Sequence, residues 1–222
     1  EYLGHVGGQY AAAVLSALTG DENPDIYLAA INALGDIHHP DAIPPLVSLA
    51  KSVNDETRRY AIEALGRRDG PGTAGVLQWA ALTEKDPEIR NMALKGLRAM
   101  MKQESINALL NITAYPENRE RSIFYLSSLP GDKIAMVCEG LGHKHILVRT
   151  AVVEILLRNH TPQSSDMLAG CLYHGDPNVR LAAIYALHRL GNRKHMAKLM
   201  SLKEEDPDPA VRKAVGALIT EG

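Results

Sequence analysis

The residues of this sequence that could bind a metal ion lie in its second half. Cys138 is followed closely by His143, and Cys171 by His174. Two thiolates and two imidazoles are a ligand set that zinc accepts. Their spacing matches none of the usual zinc patterns, and buried cysteines commonly act as small apolar residues. The sequence favours a packing role and predicts no metal or other cofactor, while leaving open whether these side chains approach one another.

The sequence contains none of the common catalytic motifs. It contains no nucleophile elbow, no phosphate-binding loop and no recognisably spaced pair of catalytic carboxylates. We therefore expect no enzyme activity within these residues.

Composition and charge narrow the classes of protein further. The net charge of −2 does not suit a polyanionic partner. No run of eighteen apolar residues could span a membrane, and no signal peptide opens the chain. The two cysteines indicate a reducing compartment, so we expect a cytoplasmic protein.

The elements that carry these residues repeat along the chain. The stretches "EKDPEIRNMALKGLR" and "HGDPNVRLAAIYALHRLG" share an arginine, an alanine three positions later and a leucine seven positions later. The same pattern, in weaker form, recurs every 29 to 32 residues. Its seven anchors are Tyr27, Arg58, Arg90, Arg119, Arg149, Arg180 and Arg212. A fixed period of this length indicates a repeat architecture.

Each anchor lies in the first turns of a predicted helix. Capping residues stand four positions before most anchors, and proline often follows them. Apolar residues then recur with helical spacing, as in Ile89, Ala93, Leu94 and Leu97. We expect first helices to start near residues 24, 55, 87, 116, 146, 177 and 209. Gly35 and Gly66 are expected to end two of these helices as left-handed caps.

A second helix is predicted in each repeat. Leucine recurs nineteen positions after most anchors, at Leu46, Leu77, Leu109, Leu168 and Leu199. Each repeat is therefore a helical hairpin of about thirty residues. One hairpin cannot bury its apolar face alone, so stacked neighbours must form a continuous core.

These features resemble the HEAT repeat family in its short form, with the signature D-P-x-[VI]-R-x-x-A-x-x-A-L. The match is best from Asp86 to Leu97 and from Asp176 to Leu187. The resemblance implies an all-α fold, a right-handed α-solenoid of stacked helical hairpins. Short HEAT repeats occur in scaffolds, phycobilisome lyase subunits and a metal-dependent hydroxylase. The hydroxylases carry His-Glu dipeptides in their repeats, and this chain has none, so that activity is not expected here.

The resemblance covers nearly the whole chain. We expect residues 1–222 to form a single solenoid of about seven repeats. The chain starts at Glu1 and stops after the first helix of the seventh repeat, without a polar capping helix. It is therefore expected to be part of a longer protein.

Second helices usually line the concave, binding face of HEAT solenoids. The solvent-side positions of these helices are mostly small and uncharged, with two aromatic residues among them. We predict a partner-binding stripe through Trp79, Asn107, Asn111, Met136 and Tyr173. Trp79 would be its buried anchor, unless the indole folds back over the neighbouring repeat.

Two groups of cations invite a different hypothesis. The arginine column, made of Arg58, Arg90, Arg119, Arg149, Arg180 and Arg212, could bind phosphates or form an inter-repeat ladder of ion pairs. We favour the structural ladder. A second basic edge follows the ends of the first helices, where cations complement the helix dipole. It comprises Arg67, Arg68, Arg98, Lys102, Arg158, Arg189, Arg193 and Lys194.

The sequence thus predicts a non-catalytic scaffold that binds another protein, or another domain of its own chain, along the concave face. One alternative is a subunit resembling a chromophore lyase, which binds a tetrapyrrole and its acceptor protein. The other is nucleic-acid binding through the arginine-rich edge, which the near-neutral charge disfavours.

Overall fold

The computed structural model describes residues 2–191 and 196–220. Every regular element in those ranges is a helix, and no strand occurs there. The chain divides into two compact units, Glu1–Ile112 and Thr113–Gly222. The prediction of an all-α fold of helical hairpins is therefore confirmed.

The described residues of the first compact unit form seven α-helices and one short 3-10 helix. The 3-10 helix, Pro40–Ala42, leads directly into α3. The α-helices are α1 (Tyr2–Leu18), α2 (Pro24–Asp36), α3 (Ile43–Leu49), α4 (Asp55–Gly66), α5 (Thr73–Thr83), α6 (Pro87–Met100) and α7 (Gln103–Ile112). The first helices of its three repeats are α2, α4 and α6, and each pairs with the second helix that follows it.

The second compact unit follows the same plan of alternating first and second helices. Its α-helices are α8 (Pro116–Ser127), α9 (Gly131–Ile134), α10 (Ile146–Asn159), α11 (Pro162–Gly170), α12 (Pro177–Arg189), α13 (Met196–Glu205) and α14 (Pro209–Thr220). Two 3-10 helices, Ala135–Gly142 and Cys171–Tyr173, complete the second helices of the fourth and fifth repeats. The unusual fourth repeat, with its Leu-Pro-Gly-Asp turn, thus has only one turn of α-helix before its 3-10 segment.

The seven first helices begin where the period predicts. They start at Pro24, Asp55, Pro87, Pro116, Ile146, Pro177 and Pro209. Capping side chains fix these starts: Asn54 accepts a hydrogen bond from the Thr57 amide at 3.0 Å, and Asp86 from the Glu88 amide at 2.8 Å. His145 is not a standard cap, yet its Nδ1 accepts from the Leu147 amide at 3.2 Å.

The core consists of the predicted apolar positions of both helices. Ile89, Ala93, Leu94 and Leu97 on α6 are all buried. The leucines at the recurring second-helix position are buried as well: Leu46, Leu77, Leu109, Leu168 and Leu199. Alanine and leucine make up most of the buried apolar residues, which suits close packing between helices.

The expectation of left-handed caps at Gly35 and Gly66 is wrong. Positive φ among the described residues occurs instead at Gly72 and Gly191, and at two residues that are not glycine. A Cβ on Gly35 would lie 2.9 Å from Cβ of Ala64, and one on Gly66 would lie 3.2 Å from Cα of Gly96. These glycines therefore let neighbouring first helices approach closely, a requirement that the helix-end pattern alone cannot reveal.

Substitution of Gly96 by alanine is expected to destabilise the first compact unit. The new Cβ would lie 2.7 Å from Cα of Gly66 and 3.0 Å from Cδ1 of Leu77, so α4 and α6 must separate. Such overpacking costs about 1–3 kcal/mol, measurable by urea unfolding. The matched control is Gly75→Ala in α5, where an added Cβ meets nothing within 4 Å. That change should leave stability equal or raise it by up to ~1 kcal/mol, and equal losses in both variants would contradict the packing argument.

Candidate functional site

The predicted stripe divides between the two compact units. Trp79 lies on α5, and Asn107 and Asn111 on α7, all in the first unit; the amide Nδ2 of Asn111 donates to Oε1 of Gln78 at 3.5 Å. This bond links α7 to α5 next to the tryptophan. Trp79 and Asn111, two of the predicted stripe residues, therefore lie on adjoining helices of the first unit.

The remaining stripe residues lie in the second unit. Met136 is half-buried in the 3-10 helix of the fourth repeat. Tyr173 ends the 3-10 helix of the fifth repeat and is 71 % exposed. The ammonium of Lys198 stands 4.3 Å from its ring centroid, a cation–π contact. A binding role for both residues stays a prediction.

An open groove of about 440 Å³ surrounds Trp79. The indole is 38 % exposed, so part of it is accessible and part is packed against the unit. The groove runs between the ends of α3 and α5, where the loops to the next first helices begin. Its lining residues are Lys51, Ser52, Asp55, Arg58, Trp79, Thr83, Glu84, Lys85 and Asp86.

An ion-pair network holds the wall of this groove. Arg58 donates through Nε to Glu84 at 2.7 Å and through Nη2 to Glu84 at 3.1 Å. The same guanidinium lies 2.7 Å from Oδ1 of Asp55. The hydrogen bond with Glu84 raises the pKa of Arg58 above its usual range, outweighing desolvation. Arg58 therefore links the end of α5 at Glu84 to the start of α4 at Asp55 in the wall of the groove.

The arginine column satisfies backbone carbonyls at the ends of second helices and the loops after them. In five of its members Nη1 donates to the carbonyls six and five residues earlier: Arg58, Arg90, Arg149, Arg180 and Arg212. Arg119 also donates to the carbonyl six residues earlier, that of Thr113, but its second acceptor is the carbonyl of Leu147. Carbonyls at helix ends lack partners within the helix, so each arginine closes the turn before its own helix.

Several arginines of the column also pair with an acid in the following repeat. Arg58 binds Glu84, Arg149 binds Asp176 at 2.8 Å, and Arg180 binds Asp206. Arg119 contacts Glu154 at 3.3 Å. Within each unit these contacts are those of an inter-repeat ladder, and they support the structural role proposed for the column.

The pair of Arg180 and Asp206 is the most deeply buried of these. Their side chains are 8 % and 1 % exposed, with two hydrogen bonds of 2.8 and 2.7 Å. Burial pushes the pKa of Asp206 upward, but the hydrogen bonds from Arg180 and from the Asp208 amide outweigh it, and the pKa lies below its ordinary value. Asp176 has a lowered pKa for similar reasons: the Asn178 amide and Arg149 outweigh its desolvation.

Sequence reasoning missed a second column, six positions before each anchor. Side chains there accept a hydrogen bond from the amide two residues later, and so shape the turn that the arginine closes. The observed acceptors are Asp21, Ser52, His143, His174 and Asp206. The signal was available, since this position is polar in all seven repeats: Asp21, Ser52, Glu84, Thr113, His143, His174 and Asp206.

The two histidines among the candidate metal ligands belong to this column and shape its turns. Nδ1 of His143 accepts from the His145 amide at 3.0 Å, and Nδ1 of His174 from the Asp176 amide at 3.0 Å. Burial, with a smaller contribution from Cys138, raises the pKa of Cys171 to about 12. Burial likewise raises the pKa of the Cys138 thiol. Across residues 2–191 and 196–220, no three His, Cys, Asp or Glu side chains are grouped so that they could hold a metal ion.

Three members of the basic edge form ion pairs within the fold. Arg67 pairs with Asp36 at 3.3 Å and Lys102 with Asp69, while Arg158 pairs with Glu120 and Glu154. Arg68 is buried. Two further predicted members, Arg193 and Lys194, lie outside the described residues. Cations that already have carboxylate partners offer little to a phosphate backbone.

Helix α1 carries an exposed stripe of apolar side chains. Tyr10, Val14 and Leu18 recur every four residues on α1 and are 74 %, 42 % and 38 % exposed. This apolar stripe was not anticipated from the sequence. Among the described helices none combines the length and the apolar character needed to cross a bilayer.

Comparisons with known proteins agree with this architecture. A family model described as HEAT repeats matches residues 1–56, 44–128 and 134–219. No curated protein matches the chain. Among solved structures, human deoxyhypusine hydroxylase in complex with glycerol is 16 % identical, with 99 % of this chain and 98 % of that chain covered and a TM-score of 0.45.

Two other solved structures show similar values. The complex of CpcE and CpcF of phycocyanin lyase from Nostoc sp. is 16 % identical over 95 % of this chain and 87 % of that chain, with a TM-score of 0.46. An archaeal HEAT-like repeats protein from Thermococcus onnurineus is 16 % identical over 93 % and 95 %, with a TM-score of 0.40. Likeness at this level carries no argument about activity.

Proposed function

The chain belongs to the HEAT repeat family, and on that premise we propose that it is a non-catalytic scaffold. It binds another protein, or another domain of the same polypeptide, on the surface of its second helices. Trp79 is the anchor of that contact. The two free cysteines suit the reducing cytoplasm that we propose as its location.

The observation that carries this proposal is the groove at Trp79. A tryptophan that is 38 % exposed beside an open groove gives a partner a rigid, largely apolar surface at little cost in conformational entropy. The arginine column, in contrast, directs its guanidinium groups at carbonyls and acids of the fold. Binding thus centres on Trp79, while the arginines of the column, including Arg58 in the wall of the groove, hold the fold together.

The other hypotheses draw less support. Nucleic-acid binding requires free cations, and those of the described basic edge are mostly paired or buried. The tetrapyrrole alternative would be supported by a change in pigment absorbance on mixing. Thiols with raised pKa values and histidines engaged with backbone amides support a non-catalytic role.

Replacing Trp79 with alanine is expected to weaken partner binding by on the order of 2 kcal/mol or more, roughly 30-fold, because a central aromatic anchor is lost. The measurement is a calorimetric titration with the native partner, with circular dichroism to show that helix content is kept. The control is Lys95→Glu, an exposed change on the first helix α6. If the Lys95 change abolishes binding and the Trp79 change has no effect, the binding surface has been assigned to the wrong helices.

A further inference from the structure

The carboxylates that line the Trp79 groove are already engaged. Glu84 and Asp55 both lie at 2.7 Å from Arg58. Oδ1 of Asp86 accepts from the Glu88 amide at 2.8 Å as the N-cap of α6. A ligand that sought negative charge here would have to compete with these contacts.

The two lysines of the groove are not engaged. Lys51 follows the end of α3, and Lys85 follows the end of α5; both side chains are exposed. Neither forms an ion pair or side-chain hydrogen bond with any residue that the structure describes. Their positions at helix C-terminal ends are favourable, but each ammonium keeps its donors for a ligand. The uncommitted charge around Trp79 is therefore positive.

We propose that this groove binds an acidic segment of the partner protein, an inference that rests on the proposed function. An apolar or aromatic side chain of the segment packs on the exposed part of Trp79. Carboxylates on either side of it meet Lys51 and Lys85. A basic segment would face both ammonium groups and would compete with Arg58 for Asp55 and Glu84.

A single-stranded nucleic acid would also combine stacking with negative charge, but the groove fits it less well. Its charged lining residues balance, with Lys51, Arg58 and Lys85 against Asp55, Glu84 and Asp86. A polyphosphate needs a continuous positive field along its backbone. Two separate ammonium groups can each form an ion pair with one carboxylate of a peptide.

The test is a selection from a displayed library of random 12-residue peptides against the immobilised chain. Enriched peptides should carry Asp or Glu on both sides of an aromatic or aliphatic residue. A parallel selection uses the double variant Lys51→Glu/Lys85→Glu, which alters two exposed side chains and should lose or reverse the preference for acids. Lys95→Glu is the matched charge control and should select the same acidic peptides.

Affinity is then read from the fluorescence of the protein itself. Trp79 is the single tryptophan of the chain, so its emission reports this groove alone. A synthesised acidic peptide should change that emission, and its dissociation constant should rise about tenfold or more in the double variant. Oligo-dT of 12 nucleotides is the nucleic-acid probe and should bind more weakly than the peptide.

Each other outcome overturns the inference. Peptides that need Trp79 but carry basic or uncharged flanks would overturn the acidic partner and leave the proposed function standing. Tighter binding of oligo-dT would overturn a protein partner at this groove. If no peptide is enriched, or if enriched peptides bind Trp79→Ala as well as the native chain in calorimetric titrations of both proteins, both the inference and the proposed anchor fail.

Discussion

Replacing Leu187 with alanine is expected to lower the free energy of unfolding of the second compact unit by about 2–5 kcal/mol. Leu187 lies on α12 and is 1 % exposed, so the change removes buried methyl groups and leaves a cavity. Leu97 on α6 is the equivalent residue of the first unit, fully buried, and its truncation should have a similar effect there. Urea unfolding gives the loss for each variant.

The location of the damage tests the repeat architecture as well. In a stack of repeats each hairpin contacts mainly its neighbours, so hydrogen exchange should accelerate most in α10, α12 and α14. The control is Leu147→Ala on α10, a leucine that is 40 % exposed, which should cost within about 0.5 kcal/mol. Exchange that rises uniformly along the chain, or an equal loss for Leu147, would contradict the account.

Replacing Arg180 with alanine should cost about 3–5 kcal/mol, because it leaves the carboxylate of Asp206 buried without its cation. The change also frees the carbonyls of His174 and Gly175. Arg90→Ala is the matched comparison: the described contacts of Arg90 are two backbone carbonyls, so a smaller loss of about 1–2 kcal/mol is expected. Both variants should keep nearly native partner affinity.

The pH dependence of the same pair has a definite sign. The pKa of Asp206 is lowered below its ordinary value of 3.8 in the folded protein. The pair therefore contributes stability that is complete above pH 3.8 and disappears as pH falls through the lowered pKa. In Arg180→Ala the unpaired carboxylate is relieved by protonation, so the difference in unfolding free energy between native and variant proteins should narrow in acid.

An Arg180 variant that keeps its melting temperature but loses binding would show that the column is a binding surface.

The fold was predictable because stacking imposes the same needs on every repeat. The proline or capping residue before Arg90 and Arg180, and the leucine after each, recur at a fixed period. They therefore located helix starts without knowledge of any contact. Glycine carried less information, because Gly66 has the same sequence context whether it forms a left-handed cap or lets α4 approach the backbone of Gly96 on α6.

The site was only partly predictable because exposure and pairing depend on neighbouring repeats. Helical spacing placed Trp79 on the solvent side of α5, but it could not show the groove or the free ammonium groups of Lys51 and Lys85. The acid partner of Arg58 lies 26 residues away at Glu84. That pairing follows from the period only once the polar column six positions before each arginine is recognised.

Hydrogen–deuterium exchange on the chain with and without its partner tests the central claim most directly. The claim is that second helices bind while the arginine column holds the stack together. The account predicts new protection in α5 around Trp79 and in the adjoining α3 and α7, with α4 and α6 unchanged beyond the first turns that border the groove. Protection confined to α4 and α6, with none on α5, would contradict it.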